Sequence, residues 1–496
     1  MRTMQLVLVM LTAMLLSTAA DAARTGGKPN VIFILADDLG YGDLGAYGQQ
    51  KIKTPNIDRI AAEGMKFTQF YSAQAVCAPA RCGLMTGKHM GHADIRNNRG
   101  GVGPGGEGQE PLDADEVTIA ELMKKHGYAT GAFGKWGLGM VGTSGDPNKQ
   151  GIDTFYGYNC QAEAHNFYPD HLWHNEKRVD LEGNDRSLTG KHYSHDLICE
   201  QALKFIRDHK DEPFFLYVPS TIPHLALQVP EDDLAQYKGK WEDPAYDGKN
   251  GYLPHPHPRA AYAAMISLLD KEVGRIMSLV KELGLDDNTI IMFSSDNGPL
   301  WGRFGGTDSA FFGSAGGLRA SKGSLYEAGI RVPLVARWPG KIKPGTVTDH
   351  VAAFWDLMPT FMELIGERVP GELKIDGISF APTLLGAPGR GEQKQHEFLY
   401  WEFTAYSGQQ AVRMDDWKAI RVNMIPTYRG NRGGNPPRDP NLPKDQLPPL
   451  ELYNLKSDPG EQNNVAAKHP ELIAKAQEIM KREHVPSKKF PFPQID

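Results

Sequence analysis

Four short stretches of this sequence carry side chains whose types and spacing suit chemistry. Asp37-Asp38 follows the apolar run Val31–Ala36, and Asp296-Asn297-Gly298 follows the apolar run Thr289–Phe293. Two adjacent carboxylates after a buried strand repel each other unless a cation or hydrogen bonds hold them. Together the two stretches supply three carboxylates and one amide oxygen, with no His or Cys among them. That is an all-oxygen set, suited to Ca²⁺ or Mg²⁺ rather than Zn²⁺. Taken singly, each stretch reads as a turn; the pair points to a metal. The third stretch is Cys77-Ala78-Pro79-Ala80-Arg81, just before the helical stretch Cys82–Met85. Pro79 suits a first helical turn, which puts Cys77 at the amino end of a helix, where free N–H groups and the dipole favour anions. Arg81 adds a cation with forked donors. These features predict a reactive Cys77 thiolate facing an oxyanion. The fourth is a scattered set of cations: Lys135 after the run Ala129–Phe133, His224 beside Pro223 after the run Phe214–Val218, and Lys322 in a Gly/Ser-rich loop. Any one of these alone reads as a solvated or packing side chain.

The elements that must position these residues alternate along most of the chain. The runs at 31–36, 129–133, 214–218, 289–293 and 332–336 read as buried strands. Helical patterns open at Thr54-Pro55 and cover Val117–His126, Ser194–Asp208, about Arg259–Leu283 and Asp356–Ile365. Strands separated by helices of this length imply βαβ crossovers, and so an α/β fold with a large, mostly parallel sheet sandwiched by helices. In such sheets, sites form at the carboxyl ends of strands. After about residue 385 the pattern changes to Phe398–Phe403, Ala411–Ile420 and Leu450–Leu455, which read as a small antiparallel sheet with the helix Glu471–Arg482 against it. The Pro/Gly/Asn-rich stretch Ile425–Pro449 reads as a long surface loop. The Gly-rich stretch Arg99–Gly108 lacks the strand-before, helix-after context of a phosphate-binding loop. The expected organisation is a leader over residues 1–22, a catalytic α/β domain over 23–385 and a C-terminal α+β subdomain over 386–496.

The 496 residues include 40% hydrophobic and 23% charged residues with a net charge of −6. This excludes a wholly disordered chain and gives no electrostatic reason to expect nucleic acid as a partner. Arg2, the apolar run Leu6–Leu16 and Ala20-Asp21-Ala22 form the pattern of a secretory signal peptide. The apolar run is too short for a membrane anchor, so the expected location is periplasmic or secreted. The four cysteines, Cys77, Cys82, Cys160 and Cys199, are too few for a disulfide scaffold, although two bridges are allowed.

The stretches above, in this order, resemble the formylglycine-dependent sulfatases, a large family of alkaline-phosphatase-like fold. The most specific element is Cys77-x-Pro79-x-Arg81 followed by Leu84-Met85-Thr86-Gly87. Met65–Tyr71, Gly134-Lys135-Trp136, Asp296-Asn297-Gly298 and Lys322–Glu327 also look like family blocks. The resemblance implies that a formylglycine-generating maturation enzyme oxidises Cys77 to formylglycine (3-oxoalanine). It implies one Ca²⁺ held by Asp37, Asp38, Asp296, Asn297 and residue 77. It further implies that the aldehyde hydrate attacks sulfur with Asp296 taking its proton, that Arg81, Lys135 and Lys322 spread the charge of the sulfate, and that His224 protonates the leaving oxygen. The sequence departs from the family at Gly137, where many relatives carry a His two residues after the lysine. His89 is one candidate to replace it. The implied substrate is a sulfated carbohydrate, with a lean towards galactose or N-acetylgalactosamine sulfate esters. Arg96, His165, His171, Trp173, Trp301 and Arg303 are candidate sugar contacts. The alternatives are a phosphate or phosphonate ester hydrolase of the same fold and a catalytically inactive glycan-binding homologue.

Overall fold

The structure, a computed structural model, describes residues 27–102, 108–386, 391–426 and 433–496. The expected signal peptide lies outside the described residues. Among them, no helix is long and apolar enough to cross a membrane.

The centre of the fold is the strand Asn30–Ala36, buried at every residue. Its side chains alternate between two cores. Val31, Phe33 and Leu35 enter one, and Ile32, Ile34 and Ala36 enter the other. A strand apolar on both faces belongs in the middle of a sheet covered by helices on each side. Helices Cys77–Thr86, Ile119–Lys125 and Leu357–Leu364 cover the first face. Pro55–Ala62, Ser194–Asp208 and Pro258–Glu282 cover the second. The central strand pairs in parallel with Thr289–Ser295 on one side and Phe214–Pro219 on the other. Beyond Phe214–Pro219 come Ala129–Lys135 and Thr154–Tyr158, both parallel, and then the antiparallel strands His171–His174 and Lys177–Asp180. On the opposite side Arg331–Arg337 runs antiparallel to Thr289–Ser295 and to Met65–Tyr71. The result is a large mixed, mostly parallel sheet, and all five predicted strands lie within it.

The C-terminal sheet has four antiparallel strands: Leu399–Phe403, Gln409–Met414, Trp417–Arg421 and Glu451–Asn454. The single strand expected over 411–420 is two strands, because the chain turns at Asp415, whose φ is +48°. One face of this sheet packs Tyr400, Val412, Ala419 and Leu452 against Ala476, Ile479 and Met480 of the helix Pro470–Glu483. The other face, with Trp401, Phe403, Ala411, Ile420 and Tyr453, joins the first core. Residues 427–432 of the expected surface loop 425–449 lie outside the described residues; in the described part, Asn435 is buried and accepts a hydrogen bond from Ser324 Oγ at 2.6 Å. All four cysteines are free, buried thiols.

Candidate active site

The predicted residues meet at the carboxyl ends of the central strands. Ala36 and Ser295 are partners in register, and the Asp296 amide donates to the Ala36 carbonyl at 2.9 Å. The loops carrying Asp37-Asp38 and Asp296-Asn297 therefore leave the sheet side by side. The Asp37 amide donates to the Ile222 carbonyl at 3.0 Å, drawing in the His224 loop. Lys135 is the last residue of its strand. Cys77 is the first residue of the helix Cys77–Thr86, which starts five residues earlier than the helical stretch read from sequence. Asp38 takes a left-handed backbone with φ +67°, and its carboxylate accepts from Asn297 Nδ2 at 2.8 Å.

Each carboxylate is matched by a fixed cation. Lys135 Nζ lies 2.5 Å from Asp37 Oδ2, Lys322 Nζ 2.6 Å from Asp38 Oδ1, and Arg81 Nη2 2.9 Å from Asp296 Oδ2. The guanidinium also donates to the Lys135 carbonyl at 2.5 Å. Cys77 Sγ is 3.3 Å from Asp37 Oδ1 and 3.6 Å from Lys322 Nζ. His224 Nε2 faces Asp38 Oδ2 at 3.5 Å, while its Nδ1 sits 2.6 Å from the Leu225 carbonyl. That contact assigns the proton to Nδ1 and leaves Nε2 towards the centre.

Burial opposes ionisation of Asp37, yet Lys135, His224, Arg81 and Lys322 together hold its carboxyl well below the usual range. Burial pushes Asp296 up, and the neighbouring Asp37 adds to the rise. Burial and the Lys322 cation hold His224 well below the usual imidazole range. Burial and Asp37 push the Cys77 thiol up. The expectation of a reactive thiolate is therefore corrected: desolvation outweighs the helix terminus, and the thiol stays protonated.

A divalent cation suits this donor set. Asn297 Oδ1 is buried with no hydrogen-bond partner among the described residues, and such an orphan costs about 1–3 kcal/mol unless something binds it. Atoms of Asp37, Asp38, Cys77 and His224 lie within 4.8 Å of one another. With the thiol protonated, three carboxylates and three cations cancel. A divalent ion would leave the pocket with two positive charges, a match for an anionic ester.

The candidate sugar contacts divide. The His165 ring stacks on His224 with centroids 4.4 Å apart. Tyr252, which sequence reasoning missed, meets both rings edge-on. Phe304 continues from Tyr252, and Trp301 stacks on Phe304 at 4.7 Å. Arg303, between them in sequence, has an exposed side chain 3.9 Å from Asp308. These residues form an aromatic rim beside His224. Arg96 is not free for a sugar: its buried guanidinium is spent on Glu402 Oε1 at 2.6 Å and the Ala93 and Val485 carbonyls. His171 and Trp173 are not brought into the group. They lie on an outer antiparallel strand, where His171 contacts Asp170 and Trp173 packs against the first core. His89 is also elsewhere. Its Nδ1 accepts from the Gly91 amide and its Nε2 points to Glu483, so it serves an ion cluster with His92 and Asp376. No nearby position in the sequence could have revealed Tyr252, because a loop of Gly, Asn and Pro carries it to the site.

Residues 29–367 match the Sulfatase family model, and residues 320–427 match the model of the N-sulphoglucosamine sulphohydrolase C-terminal region. The chain belongs to the sulfatase family, and it is a sulfuric ester hydrolase. It is 30% identical to an N-acetylgalactosamine-6-O-sulfatase of Bacteroides thetaiotaomicron, over 93% of this chain and 94% of the relative. It is 33% identical to human arylsulfatase A, over 93% of this chain and 88% of the relative. The crystal structure of Ps i-CgsB in complex with k-i-k-neocarrahexaose superposes with a TM-score of 0.72 at 27% identity, covering 92% of this chain and 94% of that one.

Proposed function

We propose that the protein is an exported sulfatase that removes sulfate from a sulfated carbohydrate, using formylglycine made from Cys77 and one Ca²⁺. The observation that carries this reading is the meeting of Asp37, Asp38, Asp296 and the orphaned Asn297 oxygen with Arg81, Lys135, Lys322 and His224 around residue 77. The protonated, buried thiol supports it too. Cys77 as it stands is a poor nucleophile, whereas the backbone around it offers the Cys-x-Pro-x-Arg signal for oxidation. When present, the metal and the hydrated aldehyde supply the activated nucleophile.

This chain's own residues do the rest. Arg81, Lys135 and Lys322 hold the sulfonate oxygens and stabilise the charge that spreads over them as the ester bond breaks. Arg81 is fixed for that task by the Lys135 carbonyl and Asp296. Asp296, its proton affinity raised by burial, takes a proton from the nucleophile. His224 Nε2, unprotonated in the site as it stands, would take up a proton once the anionic substrate offsets the nearby cations and then give it to the leaving alcohol oxygen, with its ring held by the Leu225 carbonyl and stacked on His165. The aromatic rim of Tyr252, Phe304 and Trp301 suits the apolar face of a sugar ring. The activity named for the Bacteroides relative and the oligosaccharide bound to Ps i-CgsB support a galactose or N-acetylgalactosamine sulfate. Maturation needs a formylglycine-generating enzyme as partner.

Two measurements on protein from its native host test this. Mass spectrometry of the peptide containing residue 77 should show a loss of about 18 Da from Cys. The same protein should release sulfate from N-acetylgalactosamine 6-sulfate or a sulfated galactan oligosaccharide. An unmodified Cys77 in active protein would refute the proposed nucleophile. Turnover of phosphate esters in preference to matched sulfate esters would refute the proposed substrate class.

A further inference from the structure

Asn159 and Gln161 are buried carboxamides, and none of the polar atoms of their side chains has a hydrogen-bond partner among the described residues. Buried amides are nearly always bonded, so two orphans close together mark a place where something else binds. Arg81 Nε is orphaned in the same way.

The backbone explains how these groups reach the site. The strands Ala129–Lys135 and Thr154–Tyr158 continue to pair past their ends. The Trp136 amide donates to the Tyr158 carbonyl at 2.9 Å, and the Gly137 amide to the Asn159 carbonyl at 3.0 Å. Gly137 sits at φ +76° and has no side chain. The Gln161 amide fills the space that one would take: a Cβ at 137 would come within 2.5 Å of Gln161 Nε2, and Arg81 Cδ lies 3.7 Å from the same point. Those two distances put the carboxamide nitrogen no more than about 6 Å from the stem of the guanidinium that joins Asp37, Asp296 and the Lys135 carbonyl. A carboxamide offers two N–H donors and no charge. Beside cations already balanced by carboxylates, it adds direction without adding positive charge.

We infer that Gln161 is a sulfate-binding residue, donating from Nε2 to an oxygen of the singly charged sulfonate group held beside Arg81, from the space left by Gly137. This rests on the sulfatase reading and deepens it. A neutral donor favours sulfate monoesters over the doubly charged phosphate monoesters that a further cation would suit.

The test uses matured, Ca²⁺-loaded enzyme with 4-nitrophenyl sulfate as substrate and inorganic sulfate as the binding probe, measured by calorimetry. Gln161→Ala should weaken sulfate binding and lower kcat/KM by roughly 10- to 100-fold, the size of one hydrogen bond to a charged oxygen. Gln161→Glu should lose more at pH 7.5 and recover as the pH falls, because a protonated carboxyl donates again. A packing role alone would give no such pH-dependent recovery. Should Gln161→Ala fail to fold, the near-isosteric Gln161→Glu carries the test, and Gly137→Ala, which displaces the amide, gives a second reading. Sulfate affinity and kcat/KM within twofold of the parent in both Gln161 variants would overturn the inference while leaving the sulfatase reading intact. A parent enzyme that neither binds sulfate nor cleaves the ester would overturn both.

Discussion

Lys418 offers the sharpest test of how the C-terminal sheet supports the active site. Its ammonium is fully buried between Glu327 Oε1 at 2.9 Å and Glu461 Oε1 at 3.0 Å. Glu327 in turn binds Arg331 and the Tyr71 hydroxyl, and its amide donates to Glu461 Oε2 at 2.7 Å. Glu327 opens a helical turn five residues after Lys322, so the cluster anchors the loop that carries Lys322, one of the cations proposed to hold the sulfate. Lys418→Met removes the side chain that bridges the two carboxylates in this cluster. Breaking a buried ion pair from one side costs about 3–5 kcal/mol. The loss should fall at the lower end, about 3 kcal/mol, because Arg331 still neutralises Glu327 and burial already raises the proton affinity of Glu461. At roughly 2.1 cal/mol/K of unfolding entropy per residue, a chain of 496 residues then loses about 3 °C of Tm. Differential scanning calorimetry reads that shift, and kcat/KM on an aryl sulfate should fall with it as Lys322 is released. Lys418→Met with Glu461→Gln should recover most of the Tm. A single variant with unchanged Tm and unchanged kcat/KM would refute the claim that this cluster holds the Lys322 loop.

Other expectations follow from the same contacts. Chelation of Ca²⁺ should abolish activity and lower Tm, and Asn297→Ala should weaken Ca²⁺ binding measured by calorimetry, since its orphaned Oδ1 is read as a ligand. Arg96→Ala should destabilise the protein by about 3 kcal/mol through the loss of the buried Glu402 pair, with KM for the substrate unchanged; a rise in KM at constant Tm would restore Arg96 as a sugar contact. The hydrogen bond from His89, with Arg482, holds the Glu483 carboxyl down to about 2. Stability from this group is thus present above the unfolded value near 4.5 and lost as the pH falls towards 2. Solvent screening limits the effect to about 1 kcal/mol, so Glu483→Gln should flatten the acid limb of the unfolding curve by that amount.

Much of the fold was legible because its signals are local. A run such as Val31–Ala36 is apolar at every position, and only a strand covered on both faces accommodates that. The helices Ser194–Asp208 and Pro258–Glu282 show themselves by their period. Strands with weaker patterns escaped notice. Met65–Tyr71 alternates imperfectly, and Thr154–Tyr158 contains a glycine and lies towards the outer part of the sheet. The direction of Arg331–Arg337 was likewise hidden, because local sequence does not record whether a neighbour runs parallel or antiparallel.

The chemistry divides along the same line. Residue types alone offered an all-oxygen set of candidate ligands, a Cys-x-Pro-x-Arg segment and a handful of cations at the ends of apolar runs. Only the tertiary structure decided which cations meet which carboxylates, since the partners Arg81–Asp296 and Lys322–Asp38 are more than two hundred residues apart in sequence. It also decided that Arg96 and His89 are spent on structural ion clusters, that the Cys77 thiol is desolvated, and that Gln161 occupies the space beside Gly137. Burial, charge pairing and orphaned donors are properties of what surrounds a side chain. In a folded chain, those surroundings come from distant segments.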